Sequence, residues 1–332
     1  MEQGTFTMTG GTIQNCTGVN GGAVYINGTP ETTFSMSGTS LIKNCTSMNS
    51  GGAVYLEGGK VTLTGGSIVN NMAEQGNGGG ICVVGGHFYM PDNSTASING
   101  NAAYSKSEDG CGSGGGIFVT STTGDVQVDI KHGSIINNSS DRTGGGLAVN
   151  VAAGNDVNNQ PSATVTVGIS GYTTNNNPLI SGNRTSIQGG GLYVNGKDAN
   201  VIINDGRIMD NHTSGYVSNP NVANEGGMVT LNGGEVTHVI VTYMPNAPSS
   251  AHVTVQDQNG QTVEYLQQKI VTSTNSKMLI PGTFTRPKWV IGSWHTRPDG
   301  DDSRGIRYTP GQILNLSENV TLYAQWVEES GI

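Results

Sequence analysis

Hydrophobic and polar positions alternate in short bursts along the first two thirds of the chain. They read FSMS from Phe34, VTLT from Val61, VQVDI from Val126 and VIIN from Val201. Period-two alternation with β-branched residues predicts strands. A second unit recurs beside each burst: an Ile followed three residues later by Asn or Cys. A third is a glycine pair or triple running into apolar residues. It reads GGAVYI at 21–26, GGAVYL at 51–56, GGGICV at 78–83, GGGIFV at 114–119, GGGLAV at 144–149 and GGGLYV at 189–194. A degraded seventh copy, GGMVTL, falls at 226–231. Helical periodicity is absent, and Gly, Thr and Asn are too frequent to favour helices.

The residue before each apolar run (Ala23, Ala53, Gly80, Gly116, Gly146, Gly191, Gly227) recurs at steps of 30, 27, 36, 30, 45 and 36. Periods of this size mark repeat architectures. Three short strands per repeat suit a parallel β-helix, in which each strand pairs with its copy one coil on, about 4.8 Å away. A propeller of four-stranded blades of about 40 residues fits less well, because several repeats are too short for four strands. In the β-helix reading Ile13, Ile42, Ile68, Ile98, Ile135, Ile180 and Ile208 stack into an inward apolar line. Three residues on stand Cys16, Cys45, Asn71, Asn101, Asn138, Asn183 and Asn211. An inward Asn at a corner can bond backbone groups that the turn leaves free, and the Asn above and below it. The glycines admit positive φ at the next corner.

Composition narrows the partners. The 332 residues include 52 Gly, about twice the usual ~7%, with 12% charged residues and net charge −9. An acidic balance argues against nucleic acid and against anionic membrane surfaces. No apolar run reaches the ~18 residues of a membrane-spanning helix. The opening residues are not a signal peptide, and no cap precedes the strand that starts at Thr5. The chain is therefore expected to be a fragment whose export signal lies elsewhere.

The glycine runs and I-x-x-N corners over residues 4–231 resemble the repeats of chlamydial polymorphic membrane proteins, built on GGA-plus-aliphatic and F-x-x-N motifs. GGAV occurs twice here, GGGI and GGGL stand in elsewhere, and Ile replaces the Phe at every copy. The resemblance implies a right-handed β-helix of an exported, surface-displayed, adhesin-like protein.

Four corners swell, at 102–113, 150–162, 170–178 and 212–225. Loops on a rigid scaffold carry function disproportionately. Tyr104, Tyr172 and Tyr216 lie in three of them, among Asn, Ser and Gly suited to contact with protein or sugar. They are the candidate ligand contacts.

Near Val236 glycine falls away and all three Trp appear, placing a boundary between residues 1–235 and 236–332. The runs FTRPKWVIGSW at 284–294, YTPGQ at 308–312 and LSENVTLYAQW at 316–326 resemble the Listeria–Bacteroides repeat, or internalin B-repeat. Its pattern is P-x-R-x-G-Y-x-F-x-G-W, then a glycine-containing turn, then N-x-T-L-Y-A-x-W. Asn319, Thr321, Leu322, Tyr323, Ala324 and Trp326 match the ending, while Lys288-Trp289-Val290 replaces Gly-Tyr-x. The resemblance implies a small β-grasp domain serving as stalk or interaction module on bacterial surface proteins. Trp294, Tyr323 and Trp326 are expected in its core.

Many β-helices act on polysaccharides, and such chemistry would place acids in pairs. Hydrolysis needs two carboxylates about 5–9.5 Å apart across one substrate. Residues 1–236 hold sixteen Asp and Glu, scattered at about one per coil or in loops. The nearest candidates are Asp205 and Asp210 beside Arg207, and Asp129 beside Lys131 and His132. Asp210 aligns with Asn70 and Asn137, and reads as a corner residue. Calcium nonapeptides, H-x₃₋₅-H zinc spacing, GxSxG and phosphate-cradling loops are absent. Neither metal nor cofactor is expected, and catalysis is not. Cys16 and Cys45 fall within disulfide range in adjacent coils, but stacked parallel side chains give a poor dihedral, so free thiols are expected. The reading is an all-β, secreted or surface-displayed protein: about seven coils of β-helix, then one β-grasp-like domain. It would be a monomer that binds a host or bacterial surface protein or glycan. A carbohydrate-active or glycan-binding β-helix and a passive stalk are the alternatives.

Overall fold

The alternating bursts become strands in register. The computed structural model describes residues 1–105, 111–121, 124–152, 161–170, 177–214, 220–236, 238–248, 251–271, 276–278, 280–314, 316 and 320–329. It is all-β, with no helix among the described residues. The chain divides into two compact units, Met1–Thr237 and His238–Ile332.

The first unit consists of four parallel sheets, an arrangement compatible with a parallel β-helix. The first sheet runs from Thr5–Met8 through Thr33–Met36, Lys60–Leu63, His87–Met90, Asp125–Ile130, Ser162–Val167 and Ala199–Ile203 to Met228–Leu231. The second runs from Thr12–Gln14 to Glu235–Val236, the third from Thr17–Gly18 to His212–Thr213, and the fourth from Val24–Ile26 to Val222–Glu225. Each strand pairs in parallel with its copy about one repeat away. The Ile column forms in the second sheet, where Ile13, Ile42, Ile68, Ile98, Ile135, Ile180 and Ile208 are mutual register partners. From Ile42 onward these side chains are fully or almost fully buried, each burial stabilising by about 1.5–3 kcal/mol.

Two expectations are corrected. Each repeat carries four strands, where three were expected; the extra one is the two-residue strand of the third sheet, such as Thr46–Ser47 or Met72–Ala73. A strand that short fits even the 27-residue repeat. The degraded copy at 226–231 is not a glycine run of the fourth sheet. Met228–Leu231 pairs with Ala199–Ile203 and belongs to the first sheet. The seventh fourth-sheet strand is Val222–Glu225, entered through Pro220 and Asn221 instead of glycines. Beyond Leu231, Val236 pairs with Ile208 and extends the buried column.

The corner between the second and third sheets explains the Asn column. Asn15, Asn44, Asn70, Asn137 and Asp210 all have φ between 52° and 57°, and Gly100 and Gly182 fill the same place at 65° and 67°. Asn, Asp and Gly are the residues that enter this left-handed region most readily. The next N–H then points away from the sheet ladder, and a side chain takes it. The Asn71 N–H donates to Asn101 Oδ1 at 2.9 Å, and its Nδ2 donates to the same oxygen and to the Ile42 carbonyl. Asn101 does the same to Asn138, and Asn138 to Asn183. Asn183 donates to Asn211, and Asn211 ends the ladder on Asn221. Asn221 lies only ten residues beyond Asn211, in the place that earlier coils give to Gly or Ala. Every buried amide in this line has partners, as burial demands.

The glycine run also has a steric reason. Gly114, at φ 69°, lies so close to the following strand that a Cβ there would stand 2.4 Å from the Ile117 carbonyl oxygen and 2.8 Å from Phe118 Cα. The turn folds back over the outward column of the fourth sheet. Cys82, Phe118, Ala148, Tyr193 and Ala223 therefore form a second buried apolar line outside the coil interior.

The second unit has a five-stranded mixed sheet ordered Leu266–Val271, His238–Met244, Val320–Glu328, Trp289–His295, Arg307–Tyr308. Two small antiparallel pairs complete it, Thr254–Asp257 with Gly282–Thr285 and Ser276–Lys277 with Ile313–Leu314. Its core gathers on Trp294, fully buried, with Tyr243 at 5.0 Å and Phe284 at 5.3 Å, both edge-on. Such pairs add about 0.5–1.5 kcal/mol beyond burial. Trp326 packs against this core and donates its indole N–H to the Pro245 carbonyl. Tyr323, expected in the core, lies on the other face of its strand. Leu322 and Ala324 point inward, and period two sends Tyr323 the opposite way.

Candidate functional site

Of the three candidate tyrosines, Tyr172 and Tyr216 lie outside the described residues. Tyr104 follows the third-sheet strand Ala102–Ala103 and is 42% exposed. It borders a cleft of about 290 Å³ on the outer face of that sheet. Register places Ser139, Arg184 and His212 in one column along the cleft floor. Asp141 stands beside them and accepts the Ser105 N–H at 3.0 Å. A cation, an imidazole, several hydroxyls and an aromatic ring thus share one open, polar face. That chemistry suits a hydrogen-bonding ligand such as a glycan or a polar peptide. The third sheet supplies it because its strands are two residues long and their outward positions carry Ser, Arg and His.

The acidic candidates separate. Asp210 occupies the left-handed corner described above and is exposed. Asp205 lies at the preceding corner, half-buried, before Gly206. Among the described residues neither forms an ion pair with Arg207. Asp129 has different company from that read in the sequence. His132 turns away to the Ser94 carbonyl. The partner of Asp129 is His87, whose Nε2 stands 2.9 Å from Oδ2, and Gln127 donates to the same oxygen at 2.8 Å. The His87 hydrogen bond holds the Asp129 carboxyl below the usual carboxylate range, against the opposing pull of burial. His87 also lies against Tyr89, with ring centroids 5.6 Å apart.

Tyr89 is the residue that sequence reasoning missed. The Nζ atoms of Lys60 and Lys131 approach its ring to 5.3 and 5.4 Å. Lys60 comes from the preceding first-sheet strand, and Lys131 directly follows the next one. In the sequence these residues span 60–131, and only register unites them.

The cysteines are free, with Cys16 and Cys45 in register one coil apart. Cys45 and Cys82 are buried, and burial pushes the Cys82 thiol up to about 12. In the second unit Arg286 lies 4.2 Å over the Trp289 ring and 5.6 Å from that of Trp326, at the edge of a groove of about 480 Å³. Among the described residues no group of three or more His, Cys, Asp or Glu is placed to hold a metal ion.

Comparison with family models, curated proteins and solved structures returns no match for this chain.

Proposed function

We propose that the chain is part of a bacterial cell-surface, adhesin-like protein. In this reading the first unit is a right-handed β-helix of about seven coils that holds recognition loops at fixed spacing. The second unit is a β-grasp module of the internalin B-repeat kind, serving as stalk or interaction domain. The work is binding, secreted to the surface, with no catalytic step. The observation that supports it is the Tyr104 cleft, where an exposed ring, Arg184, His212 and neighbouring hydroxyls share one face beside a swollen corner.

The test is a glycan and extracellular-matrix array with the intact chain beside Tyr104→Ser and Arg184→Gln variants. Binding that both substitutions weaken supports loop recognition. Binding that neither changes contradicts it, and no binding to any surface returns the chain to a passive stalk. A second reading, a glycan-binding β-helix, is favoured by a different observation: Asp129 and His87 from neighbouring coils converge beside an aromatic ring on an outer face.

A further inference from the structure

The outer face of the first sheet carries two lysines that form no ion pair among the described residues, in an otherwise acidic chain. Two register columns define it. One reads Thr33, Lys60, His87, Gln127 and Thr164; the other reads Ser35, Thr62, Tyr89, Asp129 and Thr166. Most positions are hydroxyls or amides, and the charged ones gather around Tyr89. Asp129 is committed to His87 and Gln127. Lys60 and Lys131 are not committed to any acid: among the described residues the one lysine ion pair is Lys197 with Asp198. Both ammonium groups rest near the Tyr89 ring instead. A cation over an aromatic face gains only about 0.5–1 kcal/mol at an exposed site, so both remain available to a stronger partner.

We infer that this face binds an acidic polysaccharide, with Lys60 and Lys131 pairing with its carboxylate or sulfate groups and Tyr89 stacking against a sugar ring. The inference rests on the glycan-binding reading above. The hydroxyl-bearing ends of the same columns, at Thr33, Ser35, Thr164 and Thr166, extend the surface along the stacking direction. A linear polymer could therefore lie across several strands. The chain's net charge of −9 opposes general attraction to polyanions, so binding of one requires a local site such as this.

The experiment uses the whole chain. Its binding is measured to surfaces bearing a sulfated polysaccharide, a polyuronate and a neutral polysaccharide, in low and high salt. The variants are Lys60→Gln/Lys131→Gln and, separately, Lys43→Gln, a lysine of the second sheet, with melting curves to confirm folding. The expected result is binding to at least one acidic polymer, weakened by salt. The double lysine variant should weaken it by about tenfold, and Lys43→Gln should leave it unchanged. The acidic polymer preferred then tells carboxylate from sulfate. Unchanged binding by the double variant, or an equal loss through Lys43→Gln, overturns the assignment to this face. Equal binding of neutral and acidic polymers overturns the charge argument while leaving glycan binding standing. Failure to bind any of the three overturns both. Should the double variant fold poorly, Tyr89→Leu reads the same face without removing a charge, and unchanged binding there also counts against the assignment.

Discussion

The two units bury their side chains by different means. The first repeats small solutions: a column Ile, a corner Asn or Cys and, in all but the last repeat, a glycine turn, each resting on its copy. The second concentrates its core on a few large rings around Trp294. Repetition spreads the stability of the first unit over many equivalent contacts, as in a chain of nearest neighbours. The second unit depends on single residues. The first can therefore lengthen its corners without disturbing its columns, which suits a scaffold for loops.

The sharpest test of this contrast is Trp294→Ala. Removing so large a buried ring should cost about 3–5 kcal/mol. All three Trp are in the second unit, so the fluorescence of Trp289 and Trp326 follows that unit, and its transition should move far down or vanish. A transition within a few degrees of the parent would break the claim of a single-residue core. Ile98→Ala removes one member of the buried column and should cost about 2–4 kcal/mol, read by circular dichroism. Asn138→Ala should cost about 3 kcal/mol, because it leaves the Asn101 N–H without its acceptor in the interior and removes one of the two bonds that Asn101 Nδ2 donates. A loss below 1 kcal/mol would mean that the ladder contributes little.

Lys288 gives a smaller effect of opposite sign. It occupies φ 66° in the turn closed by the Trp289 N–H and the Arg286 carbonyl. A left-handed non-glycine residue is strained, so Lys288→Gly should stabilise by about 1 kcal/mol. Asp129 gives the smallest effect. Its carboxyl is held low in the folded protein, so its contribution is present at neutral pH and is lost as pH falls through its folded pKa. Asp129→Asn should flatten the acid limb of a stability–pH curve and leave the alkaline limb alone. Thiol labelling adds a control without a stability cost: Cys16 and Cys111 should react in the native protein, and the buried Cys45 and Cys82 only after unfolding.

Much of the first unit was legible because its signals are chemical and repeated. The Ile column, the Asn column and the corner role of Asp210 each follow from residue types that few backbones accept. The third sheet was not legible, since Thr17–Gly18, Met72–Ala73 and Arg184–Thr185 share neither chemistry nor period. The false seventh copy arose because Gly226 and Gly227 precede a four-residue strand, as the true runs do. Pro220 and Asn221 performed the turn without glycine. Tyr323 was misplaced because a motif match carries no face, whereas strand alternation does. On the first sheet, Asp129 was legible beside Lys131 and His132, but His87 reaches Asp129 and Lys60 reaches Tyr89 only through register across repeats of unequal length.

The central claim is that stacked Asn side chains close the corners of the first unit. Amide hydrogen exchange at Asn101 tests it most directly, since that N–H donates to Asn138 Oδ1 at 2.9 Å. Replacing Asn138 by Ala removes the acceptor and leaves the Asn101 residue itself intact. The account expects the Asn101 amide to lose its protection in that variant while the Asn183 amide, which donates to Asn211, keeps it. Equal protection at Asn101 in the parent and the variant would contradict the ladder.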